Sequence, residues 1–157
     1  GRLGVFCVLS EVPYDLAFSR MYWQPARQNV FFTLLLGLLA AGLLLKKGKE
    51  RPFVCCIGAA LCAAAAEWIH SDYGAMGVCF IICFALIRNR PASCAAFTFL
   101  NTADSLLSGG VQIYAPIAAV PILLYTGKKG KSFPKYLFYA FYPIHLLLFA
   151  VLFHFTR

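Results

Sequence analysis

The sequence predicts an all-α fold, a polytopic helical transmembrane bundle of about seven apolar helices that forms a single integral-membrane domain. Three observations carry that prediction. Hydrophobic residues make up 61% of the 157 and charged residues 13%, against about 45–50% and 25% in soluble domains. The apolar residues fall in seven long runs. The basic residues fall in short clusters between those runs, the pattern of membrane-flanking loops. That pattern also removes nucleic acid as the partner of the +8 net charge and makes the lipid bilayer the expected surroundings.

The runs cover residues 3–18, 29–45, 53–70, 74–87, 91–107, 110–125 and 136–155. In the first, Ser10-Glu11-Val12-Pro13-Tyr14-Asp15 interrupts the apolar pattern with two acids four residues apart, hence on one helical face if the helix survives Pro13. Glu11 then serves as a proton acceptor and Asp15 as a partner for Arg20, or both acids reach interfacial water from a broken helix end. The second run ends in the Lys46-Lys47-Gly48-Lys49 cluster. In the third, Gly58 and Ala63 to Ala66 permit close packing, and Glu67-Trp68-Ile69-His70 ends it. The Glu67/His70 spacing occurs twice in di-metal bundles. Only one copy exists here, so an interfacial Trp68 belt with a solvated Glu67 and His70 is the preferred reading, and no metal is expected.

Ser71-Asp72-Tyr73 is a tight hairpin joint, and Asp72 suits the cap of the fourth run, a role compatible with orienting a histidine. Asp104 follows Asn101 and Thr102 in the fifth run, where it lines a cavity or faces the surface. Ser108-Gly109 forms the next joint, and Pro116 and Pro121 bend the sixth run. The seven cysteines lie in or beside apolar runs without ligand spacing and read as small packing residues.

The seventh run holds His145 in nearly unbroken apolar sequence, two residues after Pro143. A charged side chain at bilayer depth costs ~2.5–3.5 kcal/mol on insertion scales, so an ionisable residue there is read as functional. Pro143 leaves the Tyr139 carbonyl without its donor beside the imidazole. His154, near the helix exit, reads as interfacial.

Charge sets the orientation. With the Arg2 end inside, the cytoplasmic face holds Arg2, Lys46, Lys47, Lys49, Arg51, Arg88, Arg90, Lys128, Lys129, Lys131 and Lys135, which is 11 of the 14 basic residues. The other face holds Arg20, Arg27 and Arg157. The expected location is the cell (inner) membrane, multi-pass, with Arg157 outside. Glu11, Asp15, Glu67, His70, Asp72 and Asp104 then gather in the outer half. The Lys46–Lys49 and Lys128–Lys131 clusters suit a phosphate-rich cofactor, though topology signals or anionic-lipid contacts explain them equally.

Three strings resemble one family. Ser10-Glu11-Val12-Pro13-Tyr14-Asp15-Leu16-Ala17-Phe18, with Val30-Phe31-Phe32-Thr33-Leu34-Leu35-Leu36-Gly37, looks like the centre of the TraX family. Asp72-Tyr73-Gly74-Ala75-Met76-Gly77-Val78 is similar to its next signature. Tyr136-Leu137-Phe138-Tyr139-Ala140-Phe141-Tyr142-Pro143-Ile144-His145-Leu146 is similar to its closing one. The family is named for a conjugative-plasmid membrane protein that N-acetylates F-type pilin. The resemblance implies a membrane acetyltransferase with acetyl-CoA as acyl donor and a protein or glycan acceptor of the cell envelope. The acceptor group would be a pilin N-terminus or another envelope amine or hydroxyl. It implies Glu11, Asp15, Asp72, Tyr73, Tyr142 and His145 as the functional set, and further helices with an Asp-His pair ahead of Gly1.

In the expected chemistry His145 takes the acceptor's proton and returns it to the leaving thiolate. Asp72 or Glu11 fixes its tautomer, and Tyr142, at i−3, donates to the developing oxyanion. The alternatives are a proton-coupled transporter using the same buried groups and a non-catalytic assembly subunit of a surface apparatus.

Overall fold

The structure, a computed structural model, describes residues 2–18, 24, 26–108, 111–128, 130 and 134–155. Arg20, Gly109, Lys129, Lys131 and Arg157, used above for charge and joints, lie outside the described residues. His154 belongs to a described helix, but its side chain lies outside them. Among the described residues the chain is helical, with one isolated parallel bridge between Gln28 and Ser71 and no strand.

The first run is two helices, α1 (Arg2–Leu9) and α2 (Glu11–Phe18), where the sequence left open whether one helix survives Pro13. Pro13 has no N–H for the Leu9 carbonyl, and the chain turns at Ser10, one residue beyond that carbonyl. Helical bonds from Ser10 N–H to the Phe6 carbonyl and from Tyr14 N–H to the Ser10 carbonyl flank the break, both 3.0 Å. The next four runs hold to within a few residues: α3 (Val30–Lys47), α4 (Pro52–Trp68), α5 (Gly74–Leu86) and α6 (Arg90–Ser108). Pro52 opens α4 at a position where its missing N–H costs nothing. The sixth run is a correction. It is a 3-10 segment, Val111–Ala118, followed by the short α7 (Ala119–Leu124). Pro116 and Pro121 each delete a donor within two turns, so no continuous α ladder survives. α8 (Lys135–Phe155) runs through Pro143 as one helix.

α3 is the hub and packs against α1, α4 and α5. α8 lies on α2, and α6 carries the 3-10 segment and α7. The centre is built from small side chains, Ala40, Ala59 and Ala66 around Val78. A Cβ at Gly77 would overlap Thr33 Cγ2 and Tyr73 Cβ, so α3 and α5 cross at a contact only glycine permits.

Two tethers define the ends of the bundle. Gln28 N–H donates to the His70 carbonyl at 3.1 Å, which joins the start of α3 to the α4–α5 turn. Arg90 donates to the Tyr125 carbonyl and lies over the Tyr125 ring, 5.4 Å from its centroid, which joins the α5–α6 turn to the end of α7. Among the described residues one helix, α3, is long and apolar enough to cross a membrane, and four shorter apolar helices accompany it.

Candidate functional site

The site grows from the start of α3. Asn29 is completely buried, with extended backbone, and its Oδ1 accepts the Phe31 N–H at 2.9 Å, which caps the helix. Its Nδ2 donates to the Cys7 carbonyl at 2.8 Å and also to Glu11 Oε1, and its N–H donates to the same oxygen at 3.1 Å. Glu11 is 5% exposed and Asp15 1%. Neither reaches interfacial water, one of the two outcomes the sequence left open. Asp15 Oδ2 accepts the Gln24 N–H at 2.7 Å.

One helical turn from Glu11, the Tyr14 hydroxyl donates to Asp72 Oδ1 at 3.4 Å. Tyr142, from α8, lies beside the Val30 N–H and near Asp72, Tyr14 and Glu11. Its ring meets Phe31 edge-on at 5.0 Å. Three of the expected functional residues, Glu11, Asp72 and Tyr142, thus converge from α2, the α4–α5 turn and α8.

Asp72 does not cap α5, contrary to expectation. Glu67 does so, accepting the Ala75 N–H at 3.0 Å, and no side chain of the N-cap residue Tyr73 contributes. The reason lies in how α4 ends. Ser71 N–H reaches back to the Ala66 carbonyl and His70 N–H to the Glu67 carbonyl, both 3.0 Å, with His70 at φ 52. That is a Schellman ending with histidine where glycine is usual. It turns the chain sharply and brings Glu67 over the start of α5. Ser71 Oγ donates to the Ala66 carbonyl and accepts from Thr33 Oγ1, both 3.0 Å, which locks the turn to α3.

The turn forms one wall of a cavity of about 310 Å³. Glu67, Asp72 and Asp104 line it with Arg27, and Asn101 and Gln112 face it from α6 and the 3-10 segment. His70 and Tyr73 line it too. His70 and Glu67, assigned above to a solvated interface, therefore share a pocket with Asp72, and Asp104 lines it as one reading expected. Loss of water around the Asp72 carboxyl pushes its pKa above the ordinary carboxylate value, and the Tyr14 hydroxyl and Arg27 offset only part of this.

His145 stands apart from the cavity lining, at the eleventh of the 21 residues of α8. Its Nδ1 lies 2.9 Å from the Phe141 carbonyl, so it carries the proton and donates, leaving Nε2 with a lone pair. Asp72 and Glu11 do not set this tautomer, as had been expected; a backbone carbonyl one turn away does, because i−4 is in reach on a helix. The ring stacks on Phe141 at 5.1 Å and meets Tyr142 edge-on at 5.3 Å. Tyr142 is thus the side chain between the imidazole and the carboxylate cluster.

A left-handed backbone at a residue with a Cβ costs about 1 kcal/mol. His70→Gly should therefore raise the melting temperature of the detergent-purified protein, a gain that a lowered value would deny. Sequence reasoning passed over Asn29, although Asn directly before an apolar run is a helix-start signal.

A family model described as TraX protein matches residues 1–153. No curated protein and no solved structure matches the chain. Since that family match runs through all three signature strings and across nearly the entire sequence, the chain belongs to the TraX family.

Proposed function

We propose that the protein is a multi-pass membrane acetyltransferase, moving an acetyl group from acetyl-CoA on the cytoplasmic side to an envelope acceptor held in the outer cavity. The observation that carries the proposal is the double position of Asp72, which lines the polar cavity and accepts from Tyr14 at the edge of the cluster of Glu11, Asn29 and Tyr142. A carboxylate so placed can touch an acceptor on one side and be held by the protein on the other.

The surface supports a lipid environment. Phe53, Leu61, Leu124 and Phe138 are each more than 60% exposed, more apolar surface than a water-facing helix bundle carries. The 18 residues of α3 span about 27 Å at 1.5 Å per residue, close to the ~30 Å of hydrocarbon. With the positive-inside rule, the Lys46–Arg51 end faces the cytoplasm and the cavity end faces outward. We read the shorter helices as further spans, for the apolar surface they share.

Exposed Lys46 and Lys47 in the last turn of α3 suit the phosphates of the donor, whereas Arg90 is engaged by Tyr125. The donor supplies an acyl group activated as a thioester. The reacting group of the acceptor extends from the cavity past Tyr142 to α8, where His145 Nε2 removes its proton and later gives it to the leaving sulfur, so it ends the cycle as it began. The Phe141 carbonyl keeps Nδ1 protonated throughout. Tyr142 donates to the developing oxyanion, and Asp72 positions the acceptor.

Asp72 makes a test of stability against activity. Its raised pKa means that its stabilising contribution is complete below the ordinary carboxylate value and is lost as pH rises through the raised one. At neutral pH the ionised form is therefore a cost. Asp72→Asn keeps an acceptor for Tyr14 and should raise the melting temperature at pH 7 while cutting acetyl transfer roughly 10²-fold. A variant that melts lower and transfers normally would deny the role. The reading itself is tested by mass spectrometry of envelope proteins and glycans with and without the gene, where loss of an acetyl mark is expected. Identical acetylation in both would refute it.

A further inference from the structure

We propose that the ligand of the outer cavity is polyhydroxylated, a sugar or similar polyol, and not an amine. This takes the cavity as the acceptor site of the transfer above and so rests on that reading. The observation behind it is Asn101, a lining residue only 3% exposed, whose buried Nδ2 has no hydrogen-bond partner among the described residues. An unpaired amide donor in a buried position asks for an acceptor atom on the ligand.

The rest of the wall asks for the opposite. Glu67 at the end of α4, Asp72 on the α4–α5 turn and Asp104 on α6 are acceptors when ionised, and they come from three different parts of the fold. Arg27 is a donor and Gln112 offers both functions. An ammonium group only donates, and it leaves Asn101 unanswered. A carboxylate or phosphate only accepts, and three acids repel it. A hydroxyl donates and accepts through one atom, and several hydroxyls around a ring reach both walls at once. Tyr73 and Phe80, also in the lining, supply the apolar surface that the C–H face of a sugar ring needs.

Saturation-transfer NMR on the purified protein in a sugar-free zwitterionic detergent decides the matter, with maltose, butylamine and trialanine as probes. Saturation of the maltose ring protons is expected, with little for butylamine or trialanine. Binding should weaken roughly tenfold, about one hydrogen bond, in Asn101→Leu and in the isosteric Asn101→Asp, which turns the donor into an acceptor. Saturation of butylamine or trialanine without maltose would overturn the proposal, as would saturation of none of the three. Maltose binding that both Asn101 variants keep at full strength would also overturn it. Because no acetyl-CoA is present, maltose binding together with absent acetyl transfer would sustain this inference and remove the enzymatic reading alone.

Discussion

Replacing His145 with Ala is expected to lower acetyl transfer by ~10²–10⁴ per correctly inserted molecule, the usual worth of a general base. The effect is large because the imidazole is already prepared for the task. Its Nδ1 is committed to the Phe141 carbonyl at 2.9 Å, and the rings of Phe141, Tyr142 and Phe149 hold its orientation from the same helix. Only Nε2 is left to accept a proton. The variant makes α8 more apolar, so membrane insertion should be unchanged. His154→Ala, nine residues further along, is the control and should turn over normally. Near-normal transfer by His145→Ala would make the residue a packing histidine, and an equal loss in both variants would move the chemistry to the helix exit.

Asn29→Ala should be the most destabilising single change at the site. The side chain caps α3 and supplies the Nδ2 bonds to Glu11 and to the Cys7 carbonyl, all without contact with solvent. Loss of the cap costs about 1 kcal/mol, and the buried acceptors stripped of a donor cost about 1–3 kcal/mol more. Asn29→Asp separates the contributions, since it keeps the cap but sets a second carboxylate against Glu11. Both variants should unfold at lower denaturant concentration than the wild type, and an unchanged midpoint for Asn29→Ala would show that the network carries no stability.

Much of this was legible from the sequence, and the misses share a cause. Apolar runs bounded by charge or proline located α3 to α6 and α8 because apolar patterning and helix termination are local matters. The break in the first run was left open and the 3-10 segment was missed because both depend on how many N–H donors proline can remove before a helix fails, and periodicity does not register that. Glu11 and Asp72 stood out as acids among apolar runs and Tyr142 through the family resemblance, while their meeting depends on α8 lying against α2. Glu67 replaced Asp72 as the cap because His70 takes a left-handed conformation that sequence rules reserve chiefly for glycine. Likewise the Phe141 carbonyl, not a carboxylate, orients His145. Main-chain groups have no identity in a sequence, so a partner of that kind is invisible until the helix is seen.

The central claim is acetyl transfer from a donor on the basic face to an acceptor at the opposite end of the bundle. Membrane vesicles of defined orientation, given isotope-labelled acetyl-CoA on one side at a time, test it most directly. Label should enter the envelope acceptor only when the donor meets the face bearing Lys46, Lys47 and Arg51, and Asp72→Asn vesicles should lose most of it. Incorporation only from the opposite face, or from neither, would contradict the account.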